Sequence, residues 1–159
     1  MAATYTWSET NLVGVVVTDG ITNLNFGSND SPNIVVATYP IVAGENSYQK
    51  YIRAKFGGSG WTEISNMKFW KSSGSYVTDE GCFGIVNVAY ATPSKVLDGG
   101  DAAVPLTEGT AWAVQSAAGT ATITAAGYTK YIRLQLLTLV TTPSGSVNQK
   151  IYTLQYDEV

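Results

Sequence analysis

Apolar and polar residues alternate along most of the chain, which is the pattern of β-strands with one buried and one solvated face. Spacing at three and four residues, which would indicate helices, hardly occurs. The pattern therefore predicts an all-β domain, an antiparallel β-sandwich or jelly-roll-like fold with about eight to ten short strands. The strands are predicted at residues 12–18, 21–26, 34–39, 47–56, 61–70, 82–90, 121–126, 128–140 and 147–156.

The first hairpin is predicted around the dipeptide Asp19-Gly20. The preceding run, LVGVVVT, is rich in β-branched residues, and ITNLNF follows it with alternating character. Asp-Gly is favoured in two-residue hairpin turns because both central residues need a positive φ. The small polar residues of GSNDSPN, at positions 27–33, then predict a surface loop.

The tetrapeptide KYIR occurs twice, at residues 50–53 and 130–133. In an extended strand the isoleucine of each copy faces the core, while tyrosine and arginine cover the outer face and keep their polar tips wet. The flanking residues do not align over a longer window, so we interpret the repeat as one strand chemistry used twice, in strands that are candidate neighbours in one sheet. The inner set is predicted to be Ile52, Ala54, Phe56, Ile132, Leu134 and Leu136, and the outer set Tyr51, Arg53, Lys55, Tyr131, Arg133 and Gln135.

Residues 91–118 form the longest stretch without periodicity, and they contain Pro93, Pro105 and several glycines. A connection of this length usually carries function or crosses between sheets.

The composition narrows the function classes. With 159 residues, the chain is long enough for one domain with a full core. Its net charge of −3 is spread along the chain without a basic stripe, so nucleic-acid binding is not expected. Neither a signal peptide nor an apolar run near the ~18 residues of a membrane span is evident, and we expect a soluble protein made in the cytoplasm with no membrane partner. Cys82, the single cysteine, is predicted to be a buried thiol.

The residue types that carry most enzymatic chemistry are missing or poorly placed. The chain has no histidine, which removes Ser-His-Asp and Cys-His catalytic pairs and His-ligated metals. Asp79-Glu80 and Asp157-Glu158 are adjacent in sequence, so within a strand their carboxylates point to opposite faces. Neither a dinucleotide-binding nor a P-loop glycine motif occurs. We therefore expect no enzymatic activity and no cofactor.

Two polar segments could supply oxygen ligands to a calcium ion. They are SNDSPN, with Asn29, Asp30 and Asn33, and LDGGDA, with Asp98 and Asp101. Neither fits an EF-hand loop, and calcium takes six or more oxygens, so side-chain-capped turns are the favoured interpretation and no metal site is predicted.

Four tryptophans and ten tyrosines are the remaining signal for binding. Flat rings form sugar-stacking platforms and protein interfaces, although packing in the core is the commoner role of a tryptophan. Trp61 and Trp70 flank one predicted strand and are assigned to the sandwich. Trp112, in the long connection, and Trp7, near the N-terminus, are the candidate partner-contact residues.

Four segments, TYTWSETN, NLNFGSND, EISNMKFWKSSGS and YTLQYDEV, resemble virion structural proteins of tailed bacteriophages. The resemblance implies a non-enzymatic protein of the virion, most like a capsid decoration (cement) protein that binds the major capsid protein and bridges capsomers, commonly as a homotrimer. In this interpretation residues 1–8 are a possible N-terminal arm that becomes ordered on docking, and residues 9–159 are a single β-sandwich domain.

Two alternatives remain open. The aromatic content also fits a carbohydrate-binding β-sandwich module, in which rings stack on sugars. A tail or fibre subunit is the other alternative, although the long amphipathic helix often seen in tail-tube subunits is not evident in the sequence.

Overall fold

The computed structural model describes residues 3–12, 15–143 and 148–159. Over these residues the chain is nearly all-β, with two antiparallel sheets packed as a sandwich, which confirms the predicted fold class. One short 3-10 helix, Glu108–Thr110, is present. The described residues contain ten strands: β1 Thr4–Asn11, β2 Val16–Ile21, β3 Lys50–Gly57, β4 Ile64–Ser73, β5 Glu80–Val88, β6 Ala102–Ala103, β7 Trp112–Ala113, β8 Gly127–Tyr128, β9 Tyr131–Thr138 and β10 Ile151–Glu158.

The two sheets differ in size. The large sheet has the order β2-β1-β3-β9-β5-β6, with β8 also paired to β3, and the small sheet has the order β10-β4-β7. The long connection of residues 91–118 crosses between them, because β6 pairs with β5 in the large sheet and β7 with β4 in the small one. Of the two roles expected for this segment, function or a crossing between sheets, the structure shows the crossing.

The core lies between the inner faces of the two sheets. Side chains from β3 and β9 of the large sheet meet side chains from β4 and β10 of the small sheet. Edge-to-face aromatic contacts tie the chain ends together, since Tyr156 of β10 packs against Tyr5 and Phe56. The most deeply buried residues of the core cluster are Ala54, Phe56, Ile64, Met67, Phe69, Cys82, Ile132 and Leu134.

The two KYIR copies are neighbours in the large sheet, as the sequence suggested. Tyr51 lies opposite Arg133 and Ile52 opposite Ile132 in the β3–β9 ladder. All six residues of the predicted inner set are buried. The prediction of a solvated outer face is wrong for Tyr51, Arg133 and Gln135, because the connection after β5 folds over that face and buries them.

The hairpin turn is not at Asp19-Gly20. Both residues lie inside β2, and the chain reverses between Asn11, where β1 ends, and Val16, where β2 begins. The positive φ of Gly20 instead serves an irregularity in the β1–β2 ladder, where Trp7 lies opposite Ile21 and Ser8 opposite Asp19. Asp19 accepts hydrogen bonds from Ser8 on the neighbouring strand β1 and from Lys55 on β3, the strand beyond it, and these bonds hold Asp19 in the sheet.

Three further predicted strands are absent from the described residues. Residues 22–26 and 121–126 carry no strand beyond an isolated bridge at Ile123. Residues 34–39 form a turn, in which the Val35 carbonyl accepts from the Thr38 and Tyr39 amides. This loop folds back on Gly27, whose missing side chain leaves room for Ile34 and the Tyr39 carbonyl. Only Ile34 of the six is buried, so the apolar run covers the sandwich rather than crossing it.

Residues 4–8 of the predicted N-terminal arm lie in a strand, and ordering of this segment on docking stays a prediction. Thr4 to Ser8 are part of β1, which pairs with β2 on one side and with β3 on the other. Because side chains alternate between the two faces of a strand, Tyr5 and Trp7 both point toward the core. They pack against core residues there, Trp7 against Phe69, and these contacts join the segment to the domain. Met1 and Ala2 lie outside the described residues.

No helix in the described ranges has both the length and the apolar character needed to cross a membrane.

Candidate interaction surfaces

Strand β2 forms an open edge of the large sheet. Among the described strands it pairs only with β1, so its other side presents backbone amide and carbonyl groups. Val15, Val16 and Val17 leave 52%, 46% and 39% of their surface exposed at this edge. An apolar, accessible strand edge is a template for pairing with another chain.

The turn that leads into β2 is anchored to the domain. Asp30 accepts hydrogen bonds from the Leu12 amide and from the Asn11 side chain, at 2.8 Å each. Tyr90 donates its hydroxyl to the Leu12 carbonyl at 2.7 Å. These contacts hold the end of β1, and the Val15 amide, just before β2, donates to the same Leu12 carbonyl at 3.2 Å.

A buried ion pair supports the same end of the sheet from within. The Lys50 ammonium lies 2.8 Å from Glu9 Oε1 and 2.8 Å from the Ser31 carbonyl, and both charged side chains are fully buried. Asn11 donates to the same Glu9 oxygen. The pair therefore connects β1, β3 and the loop of residues 27–33 into one unit.

A cluster of aromatic rings and one arginine lies on the outer face next to the edge strand. We call Tyr51, Arg53, Tyr90, Tyr128 and Tyr131 the tyrosine–arginine cluster. The Arg53 guanidinium carbon lies 3.8 Å from the centre of the Tyr128 ring and 4.7 Å from that of Tyr131. Tyr51 packs edge-on against Tyr90 and Tyr131, at 5.1 and 6.1 Å between ring centres. Tyrosine and arginine are the residue types enriched in protein-interface hot spots.

Arg133, the arginine of the second KYIR copy, is fully paired. Its Nε and Nη2 donate to Asp101 Oδ1 at 3.2 and 2.5 Å, and its Nη1 donates to Asp98 at 3.2 Å. Burial acts to lower the pKa of this guanidinium, but the bonds to Asp101 raise it above the ordinary value. Both aspartates belong to the connection that covers this part of the outer face.

The two sheets leave a cleft between them. This inter-sheet cleft has a volume of about 930 Å³, which lies within the range of small-molecule pockets. Its apolar wall includes Trp7, Ile52 and Leu136 from the large sheet and Tyr152 from β10. Amide side chains also line it, from Asn23, Asn25, Asn148 and Gln149.

The two predicted partner-contact tryptophans both pack against the core. Trp7 lies edge-to-face with Phe69, 6.0 Å between ring centres, and forms part of the cleft wall. Trp112 lies opposite Phe69 in the β4–β7 ladder and is half-buried. Both residues contribute to packing in the domain, and contact with a partner stays a prediction for each.

Cys82 is buried, as predicted, and burial raises the pKa of its thiol to about 12. Burial also raises the pKa values of the neighbouring Tyr76 and Tyr152 hydroxyls. The thiol is therefore protonated at neutral pH, whereas nucleophilic attack requires the thiolate.

The acidic residues considered as calcium ligands have other partners. Asp98 accepts from the Gly100 amide at 3.0 Å in a capped turn, as the sequence favoured, and Asp30 caps the Leu12 turn. Within residues 3–12, 15–143 and 148–159, no group of three or more His, Cys, Asp or Glu side chains is placed to hold a metal ion.

Comparison of the chain with protein family models, with curated proteins and with solved structures finds no match.

The sequence pattern indicated the tyrosine–arginine cluster, but it indicated neither the open edge at β2 nor the inter-sheet cleft. The twin KYIR copies indicated the strands that carry the tyrosine–arginine cluster, but not which arginine would be paired. The open edge at β2 was hidden by the misplaced hairpin turn. The cleft depends on how far apart the sheets stand, which strand periodicity does not encode.

Proposed function

We propose that the chain is a non-enzymatic structural protein of a bacteriophage virion, which decorates the capsid and stabilises it by bridging adjacent capsomers. The resemblance of four sequence segments to virion structural proteins supports the virion assignment. The observation that carries an adhesive role is the open edge strand β2, with Val16 and Val17 exposed within it and Val15 exposed directly before it. In this proposal the protein acts in the assembled virion after synthesis in the host cytoplasm.

The edge strand suits adhesion for a physical reason. A strand from a partner that pairs with β2 satisfies backbone groups that otherwise remain in water, and it covers the valines. Burying apolar surface contributes about 25 cal/mol per Å². Exposed apolar edges are aggregation hazards that natural proteins usually blunt, so an edge left open in a folded domain favours a function in pairing.

Modest contacts are sufficient for a capsid-bridging protein. A specific interface of about 1,200–2,000 Å² per contact gives useful affinity. A homotrimer that contacts several capsomers gains avidity because the second and third contacts form at high effective concentration. The major capsid protein is accordingly the proposed partner.

Co-sedimentation with undecorated capsids tests this function. We expect the purified protein to pellet with capsids at micromolar concentration and the Val17→Lys variant to lose at least tenfold in affinity, because it places a charge at the paired edge. Val96→Lys is the matched control, since Val96 is also exposed but lies in the connection after β5. Protein that stays in the supernatant contradicts head decoration, and binding to purified tails would then favour the tail or fibre alternative.

A carbohydrate-binding module is the second candidate, and the inter-sheet cleft is the observation that favours it. The Trp7 ring beside amide side chains at positions 23, 25, 148 and 149 combines a stacking surface with hydrogen-bonding groups. A glycan array with wild-type protein tests this candidate, with Asn23→Ala, at an exposed lining position, as the site variant. Binding to no glycan would count against it, and binding lost in Asn23→Ala would support it.

A further inference from the structure

Arg53 is a cation without an anionic partner on the outer face of the large sheet. No acidic oxygen lies within ion-pair distance of it, and no acceptor receives a hydrogen bond from it, in the described part of the chain. Its Nε is buried and unpartnered, whereas its terminal nitrogens are not among the buried unpartnered atoms. An arginine normally satisfies such donors with carboxylates, phosphates or carbonyl oxygens.

The second KYIR copy shows how this fold satisfies the equivalent arginine. Arg133 stands on the neighbouring strand, on the same outer face, and two aspartates from the covering connection bind all three of its nitrogens. The connection does not extend its carboxylates to Arg53. The same side chain in the same strand context therefore lacks the anionic ligand that its twin possesses.

The surrounding rings hold the Arg53 guanidinium in a defined plane. Its central carbon lies 3.8 Å from the centre of the Tyr128 ring and 4.7 Å from that of Tyr131, so two rings confine the group, and only its Nε is both buried and without a hydrogen-bond partner. A planar, held guanidinium loses little entropy on binding a carboxylate in a two-bond arrangement. The terminal nitrogens are the groups that an incoming carboxylate would meet.

Arg53 lies close enough to the edge strand β2 for one bound partner to contact both. Arg53 lies opposite Ser8 on β1, and Ser8 lies opposite Asp19 on β2, so the three residues form one row across the outer face. With strands about 4.8 Å apart, the backbone of β3 is roughly 10 Å from that of β2. A protein that covers the β2 edge and this face therefore reaches Arg53.

We propose that Arg53 binds the carboxylate of an aspartate or glutamate side chain on the protein that docks at the β2 edge. This inference rests on the proposed function and names the chemistry of its partner surface. A protein side chain is favoured over an acidic sugar because each ring around Arg53 already packs against the guanidinium or against another ring, and stacking on a sugar would compete with these contacts.

Side-chain NMR tests the inference directly, because the chain has only two arginines and so gives two Nε–Hε signals. The probe is a ten-residue peptide with four glutamates, and the control peptide carries glutamines instead. We expect the Arg53 signal to shift saturably with the glutamate peptide only, while the Arg133 signal stays in place. We expect Arg53→Gln to weaken binding at least tenfold, Arg53→Lys to weaken it less, and Lys55→Gln, at a neighbouring exposed cation, to leave it within twofold.

Four results would overturn the inference. They are no response of the Arg53 signal at millimolar glutamate peptide, equal binding by Arg53→Gln, an equal response to the glutamine peptide, and a response to oligogalacturonate in place of the glutamate peptide. Capsid co-sedimentation separates this inference from the proposed function. If wild-type protein fails to pellet with capsids, the proposed capsid decoration is contradicted. If the Arg53→Gln variant pellets like the wild-type protein, only the proposed role of Arg53 is contradicted.

Discussion

At the scale of single residues, the ion pairs in the described part of the chain include buried and exposed ones, with very different consequences for stability. Glu9 and Lys50 are enclosed, while Lys55 and Asp19 form a pair of similar length, 2.6 Å, in which both side chains are well exposed. The hydrogen bond from Lys55 lowers the pKa of Asp19. If one partner of the exposed pair is lost, water solvates the remaining charge. If one partner of the buried pair is lost, the remaining charge stays buried without a counter-ion.

Replacing Lys50 by methionine should therefore destabilise the domain strongly. The substitution leaves the Glu9 carboxylate buried without its cation, and removal of one partner of a buried pair costs about 3–5 kcal/mol. Urea denaturation measures the free energy of unfolding. Lys55→Met is the control and should cost less than about 1 kcal/mol. Equal losses in the two variants would contradict the structural role of the buried pair.

The buried thiol gives a second prediction at this scale. Because burial raises the pKa of Cys82 from 9.0 to about 12, the folded protein should resist iodoacetamide at pH 9 and react fully in denaturing urea. The raised pKa favours the protonated thiol in the fold. Its contribution to stability is therefore present below pH 9 and is lost as the pH rises toward 12.

Mass spectrometry of the labelled protein measures this reaction. A Cys82→Ala variant, which has no thiol, is the control for labelling at other side chains. Rapid alkylation of the native protein at pH 9 would contradict the burial of Cys82 and would reopen a chemical role for it.

At the scale of elements, the ladder between β5 and β9 depends on close approach of two backbones. Gly84 lies opposite Leu134, and a side chain at Gly84 would collide with the Arg133 carbonyl and crowd Leu134. Backbone atoms cannot yield as the end of a flexible side chain does. The glycine is therefore required for the register that brings Arg133 under its two aspartates.

Gly84→Ala should lower the free energy of unfolding by about 1–3 kcal/mol, the usual cost of overpacking a filled site. Thermal or urea unfolding followed by circular dichroism measures the change. Gly99→Ala is a matched control, because a methyl group there would meet no atom within 4 Å. A Gly84→Ala variant as stable as the control would show that the strands can separate without cost.

Comparison of the predicted and observed strands shows which short sequence patterns are sufficient to predict a strand. The strands that contain KYIR were predicted nearly at their true positions, because both alternate over a long run and both contribute to the core. The apolar run at residues 34–39 misled because hydrophobicity alone does not distinguish a strand from a loop that covers the sandwich. Asp19-Gly20 misled because Gly20 uses its positive φ at a strand irregularity.

The local sequence also does not show which of the two KYIR arginines forms ion pairs. Arg53 and Arg133 occupy identical tetrapeptides, and only the path of the connection after β5 decides that one of them meets Asp98 and Asp101. That path is a long-range property. The candidate surface could therefore be predicted as a two-faced strand with tyrosine and arginine, but not as a surface with one unpaired guanidinium.

At the scale of the whole molecule, the first and last strands close the sandwich together. Tyr5 of β1 packs at 5.8 Å between ring centres against Tyr156 of β10, and the Ala3 amide donates to Glu158 at 2.7 Å. These strands belong to different sheets, so their contacts join the two layers. The N-terminal strand is for this reason part of the fold. If residues 1–8 were instead an arm, as the sequence-based interpretation has it, the domain should fold without them.

Deletion of residues 1–8 should abolish cooperative folding. It removes the half-buried rings of Tyr5 and Trp7 from the core surface and five of the eight residues of a strand that pairs on both sides. Loss of one fully buried aromatic side chain costs about 3–5 kcal/mol, and here two half-buried rings are lost together with their strand pairing. Domains of this size have about 5–15 kcal/mol of total stability, so the combined loss should exceed it. Full-length Tyr5→Phe, which keeps the ring, should unfold close to wild type in the same thermal circular-dichroism experiment. A truncated chain with a sharp transition near that of the full-length protein would instead assign residues 1–8 to an arm and would remove β1 from the folding unit.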